Sequence, residues 1–240
     1  MHIHIYANQL MHIVEKPVSG PLVCLRITAA VTAFAAALFI TAGTVHWIEA
    51  WGFTIILSIY LTYSTVWLMK NNPGLLKERL RVRETKKWDK IILSLFAICF
   101  VTLFMMPGLD FRYQWTVSPF PLIIEVLAFT GLCISCVILF LVTKENTYAS
   151  KAVKIQSDAH HVVTTGPYTY VRHPMYAGGM LLLICMPLAL GSLFSLIPAA
   201  SSVILFVART HLEDTMLYET LPGYKEYTQK TRYRLLPGIW

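Results

Sequence analysis

Apolar residues along the chain are grouped in long blocks, and polar residues are concentrated between them. Four of these blocks, residues 27–45, 50–69, 91–109 and 121–142, contain no Asp, Glu, Lys or Arg except Glu125. Each is about as long as the roughly 20 apolar residues that an α-helix needs to cross the hydrocarbon core of a bilayer. The pattern therefore predicts four transmembrane helices in this half of the chain.

A fifth uncharged block, residues 175–208, is too long for one span. As a single helix with a rise of about 1.5 Å per residue it would extend about 50 Å. The residues that can interrupt a helix inside the block are Pro187, Gly191, Ser192 and Pro198. We therefore expect a break near residues 187–192 and two short, tilted helices, although one broken helix is also compatible with the pattern.

The distribution of Lys and Arg supports an even number of membrane passes. Residues 70–90 contain 8 of these residues, residues 143–174 contain 4 and the tail from residue 209 contains 5, whereas the intervening loops contain only Arg112. Because loops rich in Lys and Arg stay on the cytoplasmic side, both termini and both basic segments should face the cytoplasm. We therefore predict an all-α integral membrane protein with about six transmembrane segments, the last two forming a tilted hairpin, and a cytoplasmic C-terminal helix.

Composition agrees with a bilayer environment. Of the 240 residues 56% are hydrophobic and 14% are charged, whereas soluble domains contain about a quarter charged residues. The net charge of +7 is spread between apolar blocks and forms no single stripe, which favours contact with a membrane surface over nucleic acid. Residues 1–20 lack a basic start followed by an apolar stretch, so we do not expect a cleavable signal peptide there.

The five cysteines all lie in apolar blocks, so we interpret them as small buried hydrophobic residues and not as a disulfide framework. Cys133 and Cys136 have the spacing of a redox or zinc pair. They lack a second pair of ligands and lie in the middle of a predicted span, so no metal site is predicted.

Two polar segments, residues 160–179 and 209–217, flank the predicted hairpin. Because a hairpin starts and ends on the same face, these segments should meet in space and form one pocket. The first segment contains Gly166, which permits close approach of the backbone, and several tyrosines, which offer aromatic faces to a cation. Glu213 and Asp214 in the second segment supply hydrogen-bond acceptors. The same residues are also typical of a turn, a helix start and an interfacial aromatic belt, and both interpretations stay open on spacing alone.

The order of residues in these segments is more specific than their types. From His160 to Gly178 the sequence has the pattern His-x-Val-Val-x-x-Gly-x-Tyr-x-x-x-Arg-His-Pro-x-Tyr-x-Gly, and the second segment adds Arg209, Glu213, Asp214 and Leu217. In these residues the chain resembles the isoprenylcysteine carboxyl methyltransferase family. The wider group includes phospholipid methyltransferases and, more distantly, integral-membrane sterol reductases. Residues 221–227 and 232–237 are similar to the family as well, so the resemblance covers roughly residues 143–240, and it extends weakly to residues 71–76 and 87–90.

The resemblance implies that S-adenosylmethionine is the cofactor and that Arg209 is the catalytic residue that faces the substrate carboxylate. It implies no metal. The residues expected to bind the cofactor, with Gly166 and Asp214 added as neighbours in the same segments, are His160, His161, Val162, Val163, Gly166, Tyr168, His173, Pro174, Met175, Tyr176, Glu213 and Asp214. Asp214 departs from the family pattern, in which a second Glu is usual, and its reach is shorter by one methylene.

These expectations divide the chain into an N-terminal tail (1–20), four transmembrane helices with a basic 70–90 loop (21–142) and a methyltransferase core (143–240). The expected function is O-methylation of a prenylcysteine or a similar hydrophobic acid at the cytoplasmic surface of a bacterial inner membrane, with membrane lipids as partners. A carboxylate is already ionised at pH 7, so this reaction needs no general base. A phospholipid amine N-methyltransferase, which would need a base such as His173 or Glu213, is the main alternative, followed by a membrane reductase and a non-enzymatic scaffold.

Overall fold

The computed structural model describes residues 19–80, 87–116, 120–146 and 162–240, and these residues form helices without any strand. A short 3₁₀ helix, Gly166–Thr169, precedes the sixth α-helix. The α-helices in chain order are α1 (Gly20–Ala42), α2 (Ile48–Asn71), α3 (Pro73–Leu80), α4 (Lys87–Tyr113), α5 (Leu122–Glu145), α6 (Pro174–Ala189), α7 (Leu196–Thr220) and α8 (Tyr224–Lys230).

Five of the helices, α1, α2, α4, α5 and α7, are long and apolar enough to cross a membrane. Helix α6 is apolar but has only 16 residues, which corresponds to about 24 Å. The prediction of an all-α integral membrane protein is therefore confirmed. Helix α1 ends three residues before the predicted segment does, because Gly43 takes up φ +71° and its N–H bonds to the carbonyls of Phe39 and Ile40.

The long uncharged block consists of two helices, α6 and α7, joined by a turn at residues 190–195. The break lies slightly later than expected, because Pro187 is accommodated inside the last turn of α6 and the chain reverses at Gly191, where φ is +66°. Helix α7 is not short. It has 25 residues and continues to Thr220, since no proline or glycine follows Pro198 until Pro222.

Contacts between distant residues place the polar segments together at one end of the bundle. Asp89 at the start of α4 lies beside Arg209 in the second half of α7, and Asn146 after α5 bonds to Tyr168 before α6. At the other end, Asp110 accepts hydrogen bonds from Thr116 and Ser192. The described parts of the two basic loops and the C-terminal tail thus share one end, as the charge distribution predicted.

Helix α6 packs very closely against α5, and this contact determines where the candidate site lies. A Cβ atom at Gly178 would lie 3.0 Å from Cγ2 of Ile138, so only glycine fits there without a shift. The Gly178 carbonyl also accepts a hydrogen bond of 2.7 Å from the Ser135 hydroxyl. The start of α6 is consequently held in place against α5.

Candidate active site

The loop before α6 is fastened to the end of α5. Gly166 has φ +58°, and a Cβ atom there would lie 3.1 Å from the Glu145 side chain, so the position favours glycine. The Thr165 hydroxyl donates to Glu145. Two residues later, Tyr168 is buried, and its hydroxyl accepts a hydrogen bond of 2.6 Å from Nδ2 of Asn146. The 3₁₀ helix is thereby held against the end of α5.

Three predicted cofactor residues, Val162, Val163 and Met175, lie in an apolar cluster beneath this loop. They are partly buried and pack against the buried side chains of Val142, Tyr168, Leu221, Tyr224 and Tyr227. The cluster joins the loop to helix α8 and to the end of α7 that precedes it. These three residues support the shape of the loop through packing, and any contact of theirs with a cofactor stays a prediction.

Asp214 is the centre of a buried polar network. Its carboxylate accepts hydrogen bonds from Nε and Nη2 of Arg172 at 2.9 and 3.0 Å, and from Nε of Arg234 at 2.8 Å. The Tyr224 hydroxyl donates at 2.8 Å, and Nε2 of His173 lies 3.1 Å away. Asp214 is 4% exposed, so its contacts are with side chains of the protein. Its predicted contact with a cofactor stays a prediction, and the geometry gives it a role in positioning the loop.

Two tyrosines of α8 remain protonated donors at neutral pH. Burial, followed by the negative charge of Asp214, raises the pKa of Tyr224 well above its ordinary range. Burial also raises the pKa of Tyr227 to about 12. The Tyr227 hydroxyl donates to the carbonyl of Tyr168 at 2.7 Å, so α8 is attached to the 3₁₀ helix as well as to Asp214.

The C-terminal segment pairs with the loop directly before α6. The backbone N–H groups of Arg172 and His173 donate to the carbonyls of Tyr233 and Arg234, both at 2.9 Å. Nη1 of Arg172 donates to the carbonyl of Arg232, also at 2.9 Å. The sequence indicated this segment only through its similarity to the basic, proline-terminated end of the family. Nothing local in the sequence shows that it bonds to residues about 60 positions earlier.

A second group of residues surrounds Tyr176 at the start of α6. The Tyr176 hydroxyl donates to the Glu213 carboxylate, and the His173 ring lies parallel to the Tyr176 ring with centroids 5.8 Å apart. The guanidinium carbon of Arg209 lies 5.6 Å from the centroid of the Tyr176 ring, which is a cation–π distance. Arg209 and Glu213 are one turn apart on α7 and so share a face. The structure therefore brings together four of the predicted residues.

Asp89 is a site residue that the sequence reasoning missed. Its carboxylate Oδ1 lies 3.0 Å from Nε of Arg209, and its side chain is 0% exposed. The sequence shows similarity to the family over residues 87–90 but does not single out Asp89. The signal that could have identified it is its position as an acidic residue among basic ones, directly before the uncharged block 91–109.

The residues around Tyr176 fit S-adenosylmethionine in chemical type. The half-buried Glu213 carboxylate and the aromatic rings of Tyr176 and His173 would complement its sulfonium cation. Pro174, the first residue of α6, is buried. His160 and His161 lie outside the described residues. Within the part of the chain that the structure describes, no group of three or more His, Cys, Asp or Glu residues could hold a metal ion.

The fold and this site define an integral membrane protein with a polar, aromatic site at one end of its helices. The model of the isoprenylcysteine carboxyl methyltransferase (ICMT) family matches residues 126–219. This match covers 94 of the 240 residues and confirms the resemblance found in the sequence. A comparison with curated proteins found no match. The family that this segment resembles is one of membrane methyltransferases.

Proposed function

We propose that this chain is an S-adenosylmethionine-dependent methyltransferase that O-methylates the carboxylate of a prenylcysteine or a similar hydrophobic acid. The observation that carries the proposal is the juxtaposition of Arg209 and Glu213 on α7 with Tyr176 at the start of α6. Glu213 and the Tyr176 ring suit a cation, and Arg209 suits a carboxylate. The arrangement therefore has groups for both reactants of the proposed transfer.

Glu213 and Tyr176 are proposed to hold the cofactor. When bound, S-adenosylmethionine supplies a methyl group on a positively charged sulfur, which makes that methyl electrophilic. The Glu213 carboxylate attracts this charge, and the hydroxyl of Tyr176 keeps the carboxylate oriented through its hydrogen bond. The parallel His173 ring supports Tyr176 from the loop side.

Arg209 is proposed to align the acceptor. A guanidinium is planar and carries its donors in a fork that matches a carboxylate. An acceptor carboxylate with a pKa of about 3.5 is ionised at pH 7, so no residue has to remove a proton. The contribution of the protein is then positioning and exclusion of water. Arg209 is suited to both, because it is buried and is the first charged residue after the apolar part of α7.

The location of the site suits a lipid-like acceptor. The polar residues lie at the end of long apolar helices, so an acceptor can keep its hydrocarbon chain among the lipids while its carboxylate reaches Arg209. The excess of Lys and Arg at this end supports a cytoplasmic orientation. We propose the inner membrane of a bacterium as its place, with residues 143–240 as the core and Asp89 contributed from outside it.

A phospholipid amine is the second candidate acceptor, and one observation favours it. The ion pair with Asp89 offsets the positive charge of Arg209, so an amine that approaches the site meets less unfavourable positive potential. Amine methylation would need a group that accepts a proton from the amine, and in that case the Glu213 carboxylate is our candidate for this group.

Methyl transfer from radiolabelled S-adenosylmethionine tests the proposal. We expect the purified protein to label N-acetyl-S-farnesylcysteine, a prenylcysteine analogue, and to form a methyl ester that base hydrolyses. Phosphatidylethanolamine serves as the competing acceptor, since its N-methyl product is stable to base. Label only in the base-stable product would replace the carboxyl acceptor by the amine, and no label in either would contradict a methyltransferase for these acceptors.

The variant Arg209→Lys tests the role of the guanidinium in the same assay. Lysine keeps a positive charge beside Asp89 but loses the planar fork. We expect turnover of the farnesylcysteine analogue to fall by about one to two decades, at about 1.4 kcal/mol per decade, while calorimetric affinity for S-adenosylhomocysteine hardly changes. Normal turnover would reduce Arg209 to an interface anchor, and joint loss of turnover and affinity would indicate misfolding.

A further inference from the structure

We propose that Asp89 is a specificity-determining and positioning residue that offsets the charge of Arg209 and so limits how tightly the site holds an anionic acceptor. This inference rests on the proposed site around Arg209. It assigns a functional role to a residue of α4, which lies outside the segment that the family model matches.

The contact between Asp89 and Arg209 is a buried ion pair between two helices. Oδ1 of Asp89 lies 3.0 Å from Nε of Arg209, with side chains 0% and 9% exposed. Charges out of water interact more strongly than charges at the surface. The Asp89 carboxylate therefore cancels a large part of the positive potential that Arg209 presents to the site.

The same contact fixes the orientation of the guanidinium. The Asp89 carboxylate contacts the guanidinium at Nε of Arg209, and the centroid of the Tyr176 ring lies 5.6 Å from the guanidinium carbon. Two partners from different helices, α4 and α6, thus hold the side chain of a third, α7. A guanidinium held in this way is already oriented when an acceptor arrives.

Partial cancellation of the charge has a catalytic consequence. Methyl transfer to a carboxylate removes its negative charge, so a strong positive potential stabilises the ionised acceptor more than the transition state. Interactions that favour the ground state lower KM without raising kcat. With Asp89 in place, Arg209 can align the acceptor without holding it too tightly.

A purely structural role for Asp89 predicts a different behaviour. Asp89 lies in the first turn of α4, where a carboxylate is favoured by the helix dipole. In that role its removal would lower the stability of the protein. It would not change the preference of the site for charged over neutral acceptors.

The test is the isosteric variant Asp89→Asn, compared with Asp110→Asn as a matched control. Asp110 lies on the same helix and is also buried, with 2% exposure. It is 21 positions away, about 30 Å along α4. The two variants make the same chemical change at opposite ends of one helix, so a general cost of altering a buried carboxylate affects both.

The measurement is the binding of N-acetyl-S-farnesylcysteine and of its uncharged carboxamide to protein saturated with S-adenosylhomocysteine, together with kcat and KM for the acid. In Asp89→Asn we expect the acid to bind about tenfold more tightly while the carboxamide is unchanged, since removal of one nearby charge of this kind is an effect of about a decade. KM and kcat should fall together. Asp110→Asn should leave the ratio of acid to carboxamide affinity at its wild-type value.

An unchanged or lowered ratio in Asp89→Asn overturns the proposal. If that variant does not fold, Asp89→Glu decides, because it keeps the charge and should retain the wild-type ratio; a change in the ratio there overturns the proposal as well. Binding ratios do not depend on turnover. A wild-type protein that fails to methylate the acid, combined with a raised ratio in Asp89→Asn, would contradict the proposed carboxyl methylation and leave the role of Asp89 standing.

Discussion

At the scale of single residues, Tyr176 is the side chain that contacts the other three predicted residues brought together in the candidate site. Tyr176 is 4% exposed, and its hydroxyl donates to Glu213. Its ring also lies beside both His173 and Arg209. The Tyr176 side chain therefore contacts both Glu213, which is proposed to hold the cofactor, and Arg209, which is proposed to align the acceptor.

Removing that hydroxyl should weaken cofactor binding while the ring contacts remain. For Tyr176→Phe we expect affinity for S-adenosylhomocysteine to fall by about tenfold, because a hydrogen bond to a charged group contributes about 1.5–3 kcal/mol. Isothermal calorimetry on the detergent-solubilised protein measures this. Tyr170→Phe is the control, since Tyr170 lies in the loop before α6 and is 72% exposed. Equal affinity in both variants would move the cofactor away from Glu213.

At the scale of elements, the C-terminal segment and the loop before α6 form one unit. Asp214 on α7 binds Arg172 of the loop, Tyr224 of α8 and Arg234 of the tail. Backbone hydrogen bonds from Arg172 and His173 to the tail add to this. The start of α6 is thus positioned by residues that follow it by many positions in the chain.

Loss of the Asp214 carboxylate should release the C-terminal segment from the loop before α6. In Asp214→Ala two arginines lose their buried partner, and removal of one member of a buried ion pair costs about 3–5 kcal/mol. We expect a lower midpoint of thermal unfolding and faster proteolysis within residues 231–240. Glu226→Ala, which alters an exposed acid on α8, should leave both unchanged. If the tail of Asp214→Ala resists proteolysis like that of the wild-type protein, Asp214 does not hold it.

At the scale of the whole molecule, the six apolar helices of the described residues form a bundle with two different ends. Residues 114–116 and the turn at residues 190–195 lie at the end where Asp110 meets Ser192. The start of α4, the loop before α6 and the C-terminal tail lie at the opposite end. An even number of passes explains this arrangement.

The topology predicts which positions are accessible from each side of the membrane. A tag inserted between residues 114 and 121 should be accessible from the extracytoplasmic side, and a tag after Trp240 should be accessible only from the cytoplasm, because loops rich in Lys and Arg remain there. Labelling of intact cells and of permeabilised cells with an impermeant reagent measures both. Accessibility of both tags from the same side would contradict six passes.

Much of this molecule followed from its sequence alone. The number and approximate position of the membrane helices depend on the length of uncharged blocks relative to the bilayer, which is a local property. The shared end of the polar segments followed from the hairpin, and the resemblance to the methyltransferase family followed from the residues between His160 and Leu217. Helix ends were predicted less well, because Gly43 stops α1 and the polar residues after Arg209 continue α7.

Only the tertiary structure decided which charges meet. Asp89 and Arg209 are 120 positions apart, and their contact depends on how α4 packs against α7, which no local pattern encodes. The positioning role of Asp214 likewise depends on tertiary packing, since its partners come from the loop, from α8 and from the tail. The sequence by itself determined the helices and the chemical types of the site residues, because both depend on neighbouring residues. The pairing of those residues was decided by the packing of helices, because it depends on distances between segments that are remote in the chain.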